Sequence, residues 1–591
     1  MSEEVLQFEE KDIIGRVASV DTSRVYINVD NHTLLTRISV SNLIAVQGAT
    51  LQEFLIGITE RVTRQVAEEA ILSEEDEQGN IPIGETQKDV IQTVLVGTFR
   101  TVEGDKKNVF KRGADSFPQI DRICYLIEGA NLQRLMNLLS LELAEEERLQ
   151  LGRYVADRSA IAVADGNRFF QRHASVLGST GAGKSWAVAL ILERAAALNY
   201  PNLIVLDIHG EYKPLTFGDG KLKQLARGFR VAGPGDLEKP GDDVVFLPYW
   251  LLNREEMLAM LLDRSDQNAP NQAARFTKHV RKLKEEALEE FKKKEVLNTF
   301  TVDSPIPYKM SELISRLKAD NTEMVEGKRG PKQGDWYGRL TRFIARLEGK
   351  SEDRRYGFLF KPPEESMDYD WLAQQVVRFM GSGEQNAGIK IIDFSEVPSD
   401  VLPVIVGVLA RVLYDIQFWI EEDKRTPITI ICDEGHLYLP VKDNINVVQS
   451  RAVEVFERIA KEGRKYGVSL VVVSQRPSDV SRTILSQCNN FVVLRLTNDV
   501  DQSVVRRLMP DSMAGLTDML PLLDVGEAFL LGDAVLLPTR IKLDPPEIKP
   551  ASATRDFWTD WGIMEPDAGA IAASVEALRR QTRTIVSQEM K

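Results

Sequence analysis

Eight consecutive residues, Gly178-Ser179-Thr180-Gly181-Ala182-Gly183-Lys184-Ser185, set three glycines ahead of a lysine and a hydroxyl. Glycines at this spacing let backbone N–H groups converge where a side chain would obstruct them, which suits phosphate oxygens. The lysine that follows can reach the β- and γ-phosphates of a nucleoside triphosphate, and the serine hydroxyl suits a magnesium ion. An apolar run, ASVL, precedes the loop, and WAVALILERAAAL follows it with a helical pattern. Such a helix would direct its positive end at the phosphates. ATP and Mg2+ are therefore the expected cofactors. Gly178, Ser179, Thr180, Gly181, Ala182, Gly183, Lys184, Ser185 and Trp186 are the expected nucleotide-binding residues, with Lys184 also acting in catalysis.

Triphosphate hydrolysis also needs acids. ITIICDEGHLYLP ends an apolar run on Asp433 and Glu434. Asp433 is placed to hold the metal through water, beside Ser185, and Glu434 to orient and polarise the attacking water. IVLDIHGEY carries Asp207, His209 and Glu211 at another strand end, where open α/β sheets bind ligands. Glu211 there suits either assistance to water and metal or hydrogen bonding that braces the site. His209 and His436 lack ligand spacing and read as structural. SLVVVSQRP ends on Gln475, suited to sensing the γ-phosphate.

These groups need a scaffold. The runs ASVLG, NLIVLDI, IKIIDFS, ITIICDE, SLVVVSQ and NFVVLRL are nearly continuous in apolar residues, as expected of a parallel sheet covered on both faces. The fold class is thus α/β: a RecA-like P-loop core. Ahead of it, IIGRVASV, RVYINV, LLTRISV, NLIAVQ, VIQTVLVGTF and ICYLI are short alternating runs that predict a small β-barrel. About 250 residues separate the loop from Asp433, and charged helix-forming sequence such as KHVRKLKEEALEEFKKKEV fills much of that interval. Its mixed charges read as a solvated helix face rather than a DNA patch. The expected domains are a barrel at 1–135, core at 136–252, helical insertion at 253–378, core at 379–545, and helical tail at 546–591.

At 591 residues, two to four domains are expected. The net charge of −14 argues against a protein that coats DNA with its outer surface, which is usually basic, and leaves room for basic groups inside a channel. Cys124, Cys432 and Cys488 are scattered, so neither zinc nor a disulfide framework is indicated. The acidic N-terminus is unlike a signal peptide. Val401 to Ile420 is interrupted by Arg411 and Asp415, and reads as a buried or amphipathic helix rather than a membrane span. A soluble, cytoplasmic chain is expected.

The ordered set of a β-rich N-terminal region, RHASVLGSTGAGKS, LDIHGEY, IICDEGHLYLP, EGRKYGVSLVVVSQRPSDV and NNFVVLRL resembles the HerA branch of the FtsK–HerA superfamily, over roughly residues 10 to 545. The combination of DEGH, EGRKYG and SQRPS is more specific than the phosphate loop alone. The resemblance implies a barrel of the HAS type and a homo-hexamer that moves double-stranded DNA through its pore, with ATP between neighbours. It also implies an arginine reaching the neighbour's γ-phosphate: Arg464 first, Arg172 second. A separate effector is implied as well, either a NurA-type nuclease or an antiphage enzyme such as a sirtuin-like NAD-consuming one, docked on the barrel. No compact basic and aromatic cluster marks a pore loop. Two further readings are a ring-shaped ATPase scaffold that activates an effector without translocation, and a soluble secretion ATPase of the VirB4 kind.

Overall fold

The computed structural model describes residues 5–21, 24–30, 35–70, 83–104, 106–141, 143–217, 226–327, 330–381, 388–443, 445–509, 511–552 and 555–582. They form two compact units. One comprises Met1–Ala195, Val473–Asp479 and Leu485–Glu547; the other comprises Ala196–Val472, Val480–Ile484 and Ile548–Lys591.

The first unit begins with strands β1 (Ile13–Asp21), β2 (Arg24–Val29), β3 (Leu43–Gln47), β4 (Glu53–Ala70), β5 (Ile83–Glu103), β6 (Lys106–Arg112) and β7 (Ile123–Ile127). They pair in the order β2-β1-β7-β3-β4-β5-β6, and β2 also pairs with β5. That last pairing closes six strands into a barrel, with β6 attached outside the ring, and closure removes the exposed edges. Alternation fills the barrel: Val25, Ile27 and Val29 of β2 are buried in its core beside Ile14, Val17, Ile44, Leu55 and Leu126. Gly15 sits where β1 and β2 approach closely, since a Cβ there would lie 1.8 Å from the Asn28 carbonyl oxygen.

One expected strand is absent. LLTRISV is not a strand in its described part: residues 35–42 form a turn that drops Leu35 and Ile38 into the barrel core. The three-residue spacing of these two apolar side chains suits one face of a helical turn, where alternation would have put them on opposite faces.

A helix, Gly129–Leu141, leads to β8 (Arg148–Tyr154), β9 (Ile161–Asp165) and β10 (Ala174–Leu177). The second unit supplies β11 (Leu203–Asp207), β12 (Ala226–Val231), β13 (Val244–Val245), the hairpin β14 (Met324–Gly327) and β15 (Gly330–Gln333), β16 (Ile389–Asp393) and β17 (Ile428–Cys432). Next come β18 (Val468–Ser474), β19 (Asn490–Leu494), β20 (Glu527–Gly532) and β21 (Thr539–Leu543). In the first unit, β10 and β19 are parallel, and β20, β21, β8 and β9 extend them in antiparallel order. In the second, β13-β12-β16-β11-β17-β18 run parallel throughout. Strand β18 is shared: Val468–Val472 belong to the second unit, and Val473 and Ser474 to the first.

Between β13 and β16 the second unit is helical apart from the β14–β15 hairpin, from Arg254–Leu261 to Trp371–Met380. The charge-rich helix Ala269–Glu290 buries Phe276, Val280, Leu283 and Leu288, and most of its charges lie on the outer face; the exception is Lys284, buried and donating to the Val302 and Ser304 carbonyls at 2.7 and 2.6 Å. Helix Leu402–Trp419 is, among the described residues, the one long and apolar enough to cross a membrane, yet 61% of it is buried. Its Arg411 makes two hydrogen bonds to the carboxylate of Glu256. The chain closes with helices Phe557–Ile563 and Ala568–Arg580.

Candidate active site

In the first unit, strand β10 ends on Leu177 and helix Lys184–Ala196 begins after a six-residue loop. Gly181 and Gly183 take positive φ angles of 73° and 105°, which let the loop fold back on itself without a Cβ clash. Gly178 packs so closely that an added Cβ would meet the Leu494 Cβ at 2.9 Å. The loop is pinned at its base. The Gly178 N–H donates to the Ser474 carbonyl at 3.3 Å, and the Ser179 N–H to Arg495 O at 2.8 Å. The Ser179 hydroxyl also accepts from the Thr497 N–H at 3.2 Å. Lys184 is only 8% exposed and donates to the Ser179 carbonyl at 3.4 Å, so it folds back over the loop. Ser185 and Trp186 follow on the first turn, with Trp186 36% exposed.

Gln475, one residue past β18, comes to the same loop. The Thr180 hydroxyl donates to its Oε1 at 2.6 Å. The expected γ-phosphate sensor therefore touches the rim of the expected phosphate cradle within one unit.

In the second unit the acids gather at the carboxyl ends of β11 and β17. Asp433 is 3% exposed, and its Oδ2 is buried without a hydrogen-bond partner. Its Oδ1 accepts from the Tyr212 hydroxyl at 3.3 Å, and its carbonyl from the Tyr438 hydroxyl at 3.0 Å. Burial, then the neighbouring charges of Glu434, Asp207 and Glu211, holds the Asp433 carboxyl well above the usual carboxylate range. Glu434 adopts a left-handed backbone at φ 45°, ψ 44°, a conformation that costs a non-glycine residue free energy and collects at functional sites. His436 Nδ1 lies 3.2 Å from its Oε2.

Asp207 has a different task. Its carboxylate accepts from the Glu211 and Tyr212 N–H groups at 3.0 and 2.9 Å, closing the turn that aims Tyr212 at Asp433. Burial pushes the Asp207 carboxyl up to about 7 in spite of those two donors. His209 is exposed. Tyr212, Tyr438 and Thr497 were missing from the sequence reading. Two of them lie inside the HGEY and DEGHLY motifs, which was the available signal.

The two arginines differ. Arg172 is ion-paired to Asp533, which also holds Arg112 at 3.3 Å and the Asn489 amide at 3.2 Å. Arg464 is exposed in the short turn Gly463–Tyr466, and no acidic side chain pairs with it among the described residues.

This donor set suits magnesium held largely by phosphates and water. Among the described residues no three His, Cys, Asp or Glu side chains group as a metal site, and the orphaned Asp433 Oδ2 can accept from a metal-bound water.

The family model for the central domain of the helicase HerA matches residues 149–413, which include the phosphate loop and LDIHGEY. Residues 149–413 are thus a HerA-type central domain. The chain is 26% identical over 454 residues to a probable helicase of Methanocaldococcus jannaschii, covering 76% of each. It is 27% identical over 394 residues to the DNA double-strand break repair helicase HerA of Sulfolobus acidocaldarius, covering 66% of this chain and 68% of that one. Among solved structures, VirB4 of Thermoanaerobacter pseudethanolicus aligns with a TM-score of 0.45 and 17% identity, over 68% of this chain and 97% of that one. The chain thus carries the expected loop, barrel and α/β core.

Proposed function

We propose that this chain is a HerA-type ATPase, a cytoplasmic, homo-hexameric motor that spends ATP to move along or unwind double-stranded DNA. The observation that carries the reading is the loop at 178–185, with Lys184 folded over it and Gln475 bound at its rim, in a chain that aligns with a DNA double-strand break repair helicase. In this reading the loop amides and Lys184 bind the phosphates. Ser185 and, through water, Asp433 would hold Mg2+, which supplies charge neutralisation when bound. Glu434 orients the attacking water and receives its proton, and Gln475 reports on the γ-phosphate through Thr180.

A finger must come from outside the chain that binds the nucleotide. Arg464 is exposed and free for a neighbouring subunit, while Arg172 would have to leave Asp533 first. Arg464 is therefore the trans finger of this proposal. A separate nuclease, or an antiphage effector, would act on the DNA or be activated from the barrel.

One experiment tests motor and ring together. Wild-type protein should displace a third strand from duplex DNA in an ATP-dependent manner, and Lys184→Ala or Arg464→Ala protein alone should not. Mixed rings of the two variants should recover part of the activity, because an intact loop then meets an intact finger. No recovery in rings shown to be mixed would remove Arg464 from the trans role. Hydrolysis without any displacement by the wild type would remove the motor.

A further inference from the structure

The loops that leave β17 and β18 are laced together in the second unit, away from the expected nucleotide contacts. From Glu434 the chain makes a tight turn, with the Leu437 N–H donating to Glu434 O at 2.9 Å and the Leu439 N–H to Gly435 O at 2.8 Å. At the end of that turn the Ser481 N–H donates to Leu439 O at 2.8 Å, and Pro440 and Val480 form an isolated β-bridge. One side chain ties both loops to the helix beneath. Glu457 of helix Val447–Glu462 is 7% exposed, accepts from the Ser481 hydroxyl at 2.9 Å through Oε1, and pairs with Lys442 at 2.8 Å through Oε2. Both carboxylate oxygens are thus committed, one to each loop.

We propose that Glu457, with Lys442 and Ser481, is a positioning latch that fixes the turn carrying Glu434 to the Val480–Ser481 segment and the helix beneath, holding the water-orienting acid in place. The inference rests on the role given to Glu434 above. Glu457 does not touch the nucleotide and acts through Glu434. Glu434 is the residue that needs outside support, because its left-handed backbone is unfavourable on its own. A half-buried ion pair with a second hydrogen bond can hold such a joint, since loss of Lys442 would leave the buried Glu457 carboxylate without its cation.

The test is a kinetic double-mutant cycle on the full chain, with Lys442→Met, Glu457→Gln and the pair, plus Ser481→Ala and Ser481→Thr. Steady-state ATP turnover, the KM for ATP and thermal melting are read for each. A latch lowers kcat by about tenfold in Glu457→Gln. It leaves the KM for ATP within twofold, makes the double variant no worse than the worse single one, and lets Ser481→Thr retain the turnover that Ser481→Ala loses. A lower melting temperature with kcat unchanged would overturn the proposal, leaving Glu457 as a structural brace. A Glu434→Gln control that still turns over ATP like the wild type would instead overturn the reading on which the latch rests.

Discussion

Replacing Lys184 by alanine is expected to lower ATP hydrolysis by about a thousandfold or more while leaving the fold intact. Lys184 is the first residue of helix Lys184–Ala196, and its amine already lies over the loop, 3.4 Å from the Ser179 carbonyl. With nucleotide bound, that cation is the one loop side chain able to neutralise the β- and γ-phosphate oxygens. Removing it costs a charge-assisted hydrogen bond in the ground state and more in the transition state, where negative charge on the transferring group is redistributed. Structurally the change is mild. Alanine is the best helix former, and the 3.4 Å contact to the Ser179 carbonyl is a weak one. The expected readout is loss of turnover and weakened nucleotide binding, with circular dichroism and melting close to those of the wild type. Retained turnover in the variant would show that the loop is not the catalytic phosphate site.

Replacing Glu434 by glutamine separates binding from hydrolysis. The side chain keeps its size, so the loop and Lys184 still hold nucleotide, but the amide can no longer take a proton from water. Turnover should fall by about 10²- to 10⁴-fold, the usual loss when a general base is removed, with ATP binding retained. Stability should not fall with it. Asp433 and Glu434 are adjacent, and the charge of Glu434 is the second cause, after burial, of the raised Asp433 carboxyl. Glutamine removes that repulsion and takes the same left-handed backbone at a similar cost. The combination expected in Glu434→Gln is therefore slow hydrolysis, tight ATP retention and an equal or higher melting temperature. Parallel loss of binding and turnover would instead assign Glu434 to phosphate or metal binding. Equilibrium binding of a fluorescent ATP analogue, set beside turnover, distinguishes the two.

Why some of this was legible in the sequence and some was not follows from burial. The runs ending in Leu177, Asp207, Asp393, Cys432, Ser474 and Leu494 are strands whose two faces are both covered, so they appear as unbroken apolar stretches. The antiparallel strands β8 (RLQLGRY) and β21 (TRIKL) mix buried with partly exposed positions, and their short polar alternation resembles loop. LLTRISV shows the opposite failure: alternation without a strand, because two leucine-type anchors on a turn satisfy the barrel core equally well. In the site, glycines, lysine and the acid pair announce themselves by type and spacing. The contacts between Arg172 and Asp533, 361 residues apart, or between Tyr212 and Asp433, 221 apart, depend on tertiary structure that no local pattern encodes. The left-handed backbone of Glu434 is equally invisible, since nothing in DEGH distinguishes a strained acid from a relaxed one.

The proposed coupling of ATP hydrolysis at this loop to double-stranded DNA is open to a simple measurement, steady-state ATP turnover titrated with duplex DNA. Turnover is expected to rise several-fold to saturation with duplex DNA. The half-saturating concentration should increase steeply with salt, as phosphate contacts inside a basic channel require. Turnover that stays the same across duplex DNA, single-stranded DNA and RNA at low salt would contradict it.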